Sequence, residues 1–446
     1  MKDRVYFERR KFLKVTGGVA GLGLLAGCSG GGGGGDEGGS GGSDGGNGNG
    51  GNGGDGSDGN GGDGGGDDGT STSEGGDGGS SGSIVVGALQ PLSGPFTPWG
   101  NAHRAGLSFA VEEINADGGV MGRNLEVVET DTGSDAASAD SSFRRFVEQE
   151  DAVAVTGPVS SDVGIRTART AQDLEVPLFL HMSGSNEAIT PETTYTFRVG
   201  LLPAATTMQA QAAFVEEAGY TKVGAIIGDY AWGRSVEAGI QENFGVEVDI
   251  RAAPVGASDF RSFIRQFPQD LEMMVATGHP PGSLSIATQL NELGYSPEVV
   301  TGPSFPPGVI AGALGDLAFE GGFTHVHNTD VYSDEFADVA QRFGEERGAQ
   351  FDTHTAYGYV TGKLLAAAIE EAGSTDPTAI ADATRNIEFD TLFANPIQYS
   401  ENGELANQVQ IYSQLTPEAP SYYPDGDFGF EEQFRTDALP ALAPEE

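Results

Sequence analysis

"SIVVGALQPLSGPFTPWGNAHRAGLSFAVEEINADGG", residues 83–119, holds one complete strand-to-helix unit. "SIVVGALQPL" is a short β-branched apolar run and reads as a buried strand. "GNAHRAGLSFAVEEINADGG" spaces its apolar residues at helical intervals and stops on glycine. The alternation continues downstream. "NLEVVETDTGS" (124–134) reads as a strand and "SADSSFRRFVEQED" (138–151) as a helix. "AVAVTGPVSS" (152–161) is a strand with its loop, and "DVGIRTARTAQDLE" (162–175) is a helix. "VPLFLHMSGSNEA" (176–188) is again a strand with its loop. Four strands interleaved with three helices predict a parallel sheet covered on both faces.

After "YTFRVGLLPAATTMQAQAAFVEEAG" (195–219) the pattern restarts. Strands are expected in "YTKVGAIIGDYAWGRS" (220–235), "VEVDIRAAPV" (246–255), "LEMMVATGHP" (271–280) and "PEVVTGPSFPP" (297–307). Helices are expected after Tyr230, in "DFRSFIRQFPQD" (259–270) and in "GSLSIATQLNELGY" (282–295). A second α/β unit therefore repeats the first. Further on, helices are expected at 333–347 and 354–372, and short strands near 322–327, 396–399 and 408–414. Residues 84–446 exceed one typical core and predict two lobes.

Open parallel sheets bind ligands outside the carboxyl ends of their strands. The loops at those ends are "PLSGPFTPWG", "GPVSSD", "HMSGSNEA", "GDYAWGRS", "GHPPGS" and "GPSFPPG". They are rich in Gly, Ser, Pro and aromatics and poor in charge, and both tryptophans of the chain, Trp99 and Trp232, lie in them. Glycine lets backbone approach a ligand. Serine offers hydroxyls beside helix N-termini that attract anions. Together they predict a small-molecule cleft, against the plainer reading of ordinary turns and core aromatics.

The N-terminus belongs to a different world. Arg9 and Arg10 in "RRKFLK" resemble a twin-arginine export signal. "VTGGVAGLGLLAG" (15–27) has no charge and spans about 20 Å, short of the ~30 Å hydrocarbon core, so it reads as a signal-peptide core rather than a membrane span. "LAGC" resembles a bacterial-type lipobox, which makes Cys28, the single cysteine, the expected lipid anchor. One acyl chain holds weakly and two are needed for stable attachment. Residues 29–83 comprise 30 Gly, 11 Ser or Thr, 4 Asn and 10 Asp or Glu, with no apolar side chain to bury. They read as a disordered tether with an r.m.s. span of roughly 40 Å. The chain thus divides into a signal peptide (1–28), a Gly/Ser/Asp tether (29–83) and a folded region.

The chain carries 65 acidic and 23 basic residues, net −42. Charge at that density strains a fold in dilute buffer, and molar salt screens it to ~3 Å. Acids spread along the chain point to a halophilic, haloarchaeal source; a basic partner is the rival explanation. Nucleic acid is excluded as a partner.

With these motifs in view, the chain resembles the substrate-binding proteins of branched-chain amino acid ABC importers, the leucine/isoleucine/valine-binding type. The resemblance rests on "VGALQPLSGPFTPWG", "VEEINADGGVMGRNLEVVETDT", "VTGPVSSDVGIRTA", "VPLFLHMSGSNEAIT", "VGAIIGDYAWGRS" and "VVTGPSF", in that order, and covers 84–446. It implies an α/β fold of two doubly wound parallel-sheet lobes joined by a hinge of crossing strands, the type I periplasmic binding architecture. The first lobe would take 84–200 and 328–387, the second 201–327 and 388–446. It implies a monomeric, exported protein at the outer face of the membrane that hands its ligand to a permease with ATPase subunits and uses no cofactor or metal. Carried over by motif, Trp99 is a lid over the ligand. Ser161, with Ser160 beside it, holds the α-carboxylate. Ser183 and Ser185 offer backbone groups and a hydroxyl. Trp232 and Tyr230 supply the second-lobe aromatics, and Tyr357 closes the pocket. Ser304 stands where amino-acid binders of this family place an acid for the ammonium. A buried ammonium without a carboxylate partner is costly. So either Asp229 or another acid substitutes, or the ligand is an amide, a urea-like compound or a short carboxylic acid.

An enzyme is the first rival. The sequence has no GxSxG or HExxH, and His181 has no partnered serine. His325 and His327 share one face of a strand, but a third metal ligand is not evident. His279 reads as a pocket wall. A ligand sensor is the second rival; receptors of this fold usually carry a membrane helix and a signalling domain in the same chain, and neither shows in this sequence.

Overall fold

In the computed structural model the described residues are 82–302 and 304–442. Arg9, Arg10, Cys28 and nearly all of the tether lie outside them. The first half runs β1 (Ile84–Gln90), α1 (Thr97–Ala116), β2 (Leu125–Asp131), α2 (Ala136–Glu150), β3 (Ala154–Thr156), α3 (Ser161–Leu174), β4 (Leu178–Leu180) and β5 (Thr196–Arg198). It continues with α4 (Ala204–Ala218), β6 (Val223–Gly228), α5 (Ala231–Asn243), β7 (Val248–Ala253), α6 (Arg261–Ile264), β8 (Met273–Thr277), α7 (Gly282–Glu292) and β9 (Val299–Thr301). The rest is α8 (Pro307–Leu314), α9 (Asp316–Glu320), β10 (Phe323–His327), α10 (Asp334–Arg347), α11 (Thr353–Ala372), α12 (Pro377–Asn386), β11 (Ile411–Thr416) and β12 (Gly429–Arg435).

Two sheets form, each the floor of one lobe. The first has the order β2-β1-β3-β4-β5 and is parallel throughout. The second has the order β12-β11-β10-β9-β8-β6-β7. Its parallel part, β7-β6-β8-β9-β10, repeats the strand order of the first sheet. Strands buried on both faces are apolar runs, as in "IVVGALQ" and "VGAIIG". The antiparallel pair β11–β12 extends one edge. The chain passes between the sheets three times, after β5, after β10 and between α12 and β11.

α11 and α1 cross at backbone distance in the first lobe. A side chain on Gly106 would lie 2.7 Å from the Tyr359 amide, and one on Gly358 would lie 2.9 Å from His103 backbone. Glycine is needed at both positions for that approach. No helix among the described residues is long and apolar enough to cross a membrane.

Three expectations need correction. Segment 396–399 forms no strand: it makes only isolated bridges, Phe389 with Ile397 and Tyr399 with Leu405. The helix expected at 259–270 is one turn, Arg261–Ile264: Gln266 and Phe267 bond back three residues, to Phe263 and Ile264, and Pro268 disfavours helical backbone at the residue before it. The second sheet is not wholly parallel, since β11 runs antiparallel to both its neighbours, β10 and β12.

Candidate ligand-binding cleft

In each sheet the strand order reverses beside the strand that comes first in the chain, between β1 and β3 and again between β6 and β8. Crevices open at the carboxyl ends of such pairs. The two crevices face each other. The cavity between them is lined by Phe96 and Trp99 after β1, Val159 and Ser161 after β3, and Met182 and Leu201 after β4 and β5. The second lobe contributes Tyr230 and Trp232 after β6 and Pro280 after β8.

Four helices start at this cleft: α1, α3, α5 and α7. None has a side-chain cap hydrogen bond at its N-terminus. Away from the cleft α4, α6, α8 and α9 also lack such a bond, while four other helices have one. Asp135, Ser333, Asp352 and Asp376 each accept backbone N–H groups at the starts of α2, α10, α11 and α12. A helix start leaves up to four N–H groups without internal partners and carries about half a positive charge. The cleft therefore gathers N–H donors and positive potential, although the Thr97 and Gly282 N–H groups are bonded to the Gly94 and His279 carbonyls.

Side chains add to this donor set. Ser161 is 3 % exposed. Its Oγ accepts from the Ser185 N–H at 3.2 Å, leaving its hydroxyl proton to donate. Trp232 Nε1–H is buried and has no partner among the described residues. Burial pushes the Tyr230 hydroxyl pKa up, and the charge of Asp162 adds to it, so the phenol stays protonated. Among the described residues no Asp, Glu, Lys or Arg lines the cavity. Asp229 lies at the surface, 68 % exposed and 3.6 Å from Arg234.

The two lobes are drawn together. Trp99 of the first lobe donates Nε1–H to the Ser304 carbonyl of the second at 2.6 Å. Its ring packs 4.4 Å from Phe305. Ser185 Oγ meets Ser235 Oγ at 3.1 Å. Phe96 lies edge-on to His279 at 5.3 Å, and His279 lies edge-on to Tyr230 at 5.0 Å. Gly184 takes the edge of Trp232: an added Cβ would lie 2.6 Å from Trp232 Cε3.

The structure thus brings Trp99, Ser161, Tyr230 and Trp232 onto one cavity. Ser160, Ser183 and Ser185 stand just behind. Ser160 is the N-cap residue of α3 with its side chain making no cap bond. Ser183 Oγ is turned toward Gly164 and has no partner among the described residues. Ser304 and Tyr357 do not line the cavity. Ser304 Oγ meets His354 Nε2 at 3.0 Å and His325 Nδ1 at 3.4 Å. Tyr357 packs its ring 5.9 Å from His181 and 5.5 Å from His354.

These contacts belong to a row of five buried histidines behind the cleft. His103 packs on His181, His181 on His354, His354 on His325 and His325 on His327, with ring centres 4.5–6.2 Å apart. Burial holds His103 and His354 down to about 3 and His327 to about 4, and His181 and His325 well below the usual value. The row is neutral at pH 7. His325 Nε2 is 2.8 Å from Thr353 Oγ1, and His327 Nε2 is 2.9 Å from Ser413 Oγ.

Sequence reasoning did not single out Phe96, Val159, Met182, Leu201 or Pro280. Phe96, Val159, Met182 and Pro280 stand in the quoted post-strand loops. Leu201 follows β5, too short a strand to be assigned from periodicity.

The sequence of a family described as periplasmic binding protein matches residues 83–415. The Leu/Ile/Val-binding protein homolog 7 of Brucella suis is 23% identical over 330 residues, 69% of this chain and 82% of its own. Among solved structures, a branched-chain amino acid transporter substrate binding protein from Streptococcus pneumoniae, in complex with isoleucine, is similar with a TM-score of 0.68 at 18% identity. It covers 79% of this chain and 100% of its own. A solute binding protein of an ABC transporter from R. palustris, in complex with benzoate, gives a TM-score of 0.67 at 21% identity, covering 82% and 98%.

Proposed function

Because the chain belongs to the periplasmic binding protein family, and is a solute-binding protein of the ABC-transporter type rather than an enzyme, we propose that its ligand is a small carboxylate with an apolar body and no α-ammonium. The observation that carries this reading is the chemistry of the cavity wall: four helix starts without side-chain caps, the Ser161 hydroxyl and the unpartnered Trp232 N–H, and no carboxylate among the described residues that line the cavity. Ser160, Ser161 and the start of α3 hold the carboxylate, with Ser183 and Ser185 behind them. Trp99, Tyr230, Trp232 and Phe96 enclose the body. Ser304 and Tyr357 support that wall through the histidine row. The R. palustris protein in complex with benzoate shows such a ligand in the same fold.

A second reading, a branched-chain amino acid, follows the names of the Brucella relatives. One observation favours it. Asp162, in the first turn of α3, is close enough to act electrostatically on Tyr230 and His279. It directly follows the cavity-lining Ser161.

The remaining assignments follow from the same reading. Residues 84–200 with 328–387 form one lobe, and 201–327 with 388–446 the other. The chain is exported through Arg9 and Arg10, anchored by lipid on Cys28, monomeric, and adapted to high salt by its acidic surface. It docks on a permease with cytoplasmic ATPases.

A matched pair tests the ligand class: leucine against 4-methylpentanoate, the same skeleton without the ammonium, with isoleucine and benzoate alongside. A ligand bound to the native state raises the unfolding midpoint by mass action. In molar KCl, shifts with 4-methylpentanoate or benzoate and none with leucine support the proposal. A shift with leucine or isoleucine only overturns it in favour of the amino acid.

A further inference from the structure

Arg198, the last residue of β5, is fully buried. Its Nε donates to Glu404 Oε1 at 2.6 Å, and Glu404 is itself 3 % exposed. The two ends of the guanidinium fork go elsewhere: Nη1 donates to the Ser183 carbonyl and Nη2 to the Ser185 carbonyl at 3.3 Å. Those carbonyls belong to the loop that follows β4 beside the cavity. The carbonyl between them, on Gly184, accepts from the Ala204 N–H at 2.8 Å.

All three carbonyls of the loop are thereby engaged by other groups of the protein. A trans peptide is planar, so each carbonyl and the next N–H point in opposite directions. With the Gly184 carbonyl fixed on Ala204, the Ser185 N–H points to the cavity-lining Ser161 Oγ. With the Ser183 carbonyl fixed on Arg198, the Gly184 N–H points away from Arg198, and it has no partner among the described residues. Successive amides turned the same way form a concavity for an anion.

We infer that Arg198, held by Glu404, is a positioning residue for ligand capture: its fork fixes the carbonyls of Ser183 and Ser185, which sets the loop so that the Ser185 N–H holds the cavity-lining Ser161 Oγ and the Gly184 N–H is left for the ligand. Glu404 lies between α12 and β11, on a segment that passes from one lobe to the other, and Arg198 directly precedes another such passage. The pair therefore ties the loop to the hinge. The inference rests on the cleft being the ligand site. A planar fork with two separate carbonyls to reach is work that lysine cannot do.

The test compares wild type with Arg198→Lys, which keeps a cation for Glu404 but has no fork, and with Arg198→Met/Glu404→Met, which leaves no buried charge unpaired. Two readouts are taken in molar KCl. One is hydrogen exchange of the Ser185 amide against amides of β3 and β4. The other is affinity for sodium benzoate and L-isoleucine, read from tryptophan emission, since both tryptophans line the cleft. Expected for both variants is at least tenfold faster exchange at Ser185 with β3 and β4 unchanged, and at least tenfold weaker binding of whichever probe wild type binds. Exchange and affinity like wild type overturn the inference. So does acceleration spread evenly over β3, β4 and the loop, which marks a pair that only holds the fold. If wild type binds neither probe, the choice of ligand class has failed, and the exchange result alone decides the role of Arg198.

Discussion

Gly184→Ala separates closure from folding. The added Cβ would stand 2.6 Å from Trp232 Cε3 and 2.9 Å from Leu201 Cδ2. Ordinary carbon contacts begin near 3.5 Å, and Trp232 Cζ3 lies nearer still, so Trp232 must withdraw by about 1.5 Å. Trp232 sits on α5 of the second lobe and Gly184 on a loop of the first. When the lobes part, the clash with Trp232 disappears, so that part of the cost falls on the closed state alone, while the contact with Leu201 meets only the far end of a flexible side chain. Overpacking by one methyl costs about 1–3 kcal/mol. Because ligand binding requires closure, the same energy appears as a loss of affinity of about 5- to 150-fold. The unfolding midpoint without ligand stays near wild type. The assay is a titration followed by tryptophan emission, using the ligand returned by the matched-pair screen, with an unfolding curve on the same sample. Wild-type affinity in a folded Gly184→Ala protein would refute the reasoning: Trp232 would then not seat on Gly184 in the bound state. A fall in midpoint that accounts for the whole affinity loss would refute it equally.

Trp99→Phe keeps a ring in the lid but deletes the 2.6 Å bond from Nε1–H to Ser304. One net hydrogen bond is worth ~0.5–1.5 kcal/mol, so calorimetry should find binding weaker by about 2- to 12-fold at unchanged stoichiometry. The histidine row sets the acid limit. His103 and His354 titrate near 3 and His327 near 4 when folded, against 6.5 when unfolded. The unfolded chain then binds more protons below pH 6.5. Stability is complete above that pH and falls as the pH drops toward 4, by about 2 kcal/mol per histidine at pH 5. Denaturant unfolding at pH 7 and 5 in molar KCl should differ by about 6 kcal/mol from these three; a difference under 2 kcal/mol would mean they are not held neutral. Cys28→Ala should move the protein from the membrane fraction to the medium, and retention on membranes after the substitution would remove the lipid-anchor assignment.

How far the sequence reaches can be seen residue by residue. The doubly wound pattern was legible because buried parallel strands such as Ile84–Gln90 and Val223–Gly228 are continuous apolar runs, and each is followed by a glycine- and serine-rich turn. The direction of β11 and β12 was not legible, since the two-residue period is the same in either orientation. The loops at the strand ends predicted neighbours of a cleft, and Trp99, Ser161, Tyr230 and Trp232 from those loops line one cavity. Motif matching could not tell which way Ser304 and Tyr357 turn, and both face the histidine row. Arg198 gave no signal at all. Its partner Glu404 is 206 positions away, and a lone arginine in "YTFRVG" looks like any other exposed base until the fold brings the two together.

The cleft also runs against the charge of the chain. At net −42 the surface repels a carboxylate ligand at long range in dilute solution. Yet the groups that meet the ligand are helix starts and hydroxyls, whose attraction acts at hydrogen-bond distance. Molar salt shortens the reach of surface charge to ~3 Å while leaving contacts inside a closed, water-poor cavity nearly untouched. An acidic exterior and an anion-seeking interior are therefore compatible at high salt. That compatibility removes the need for a lysine or arginine in the cavity wall, where none is found among the described residues. A cleft without fixed charges of its own selects through direction and shape: backbone amides aimed by Arg198 at one end, and the aromatic enclosure of Phe96, Trp99, Tyr230 and Trp232 at the other.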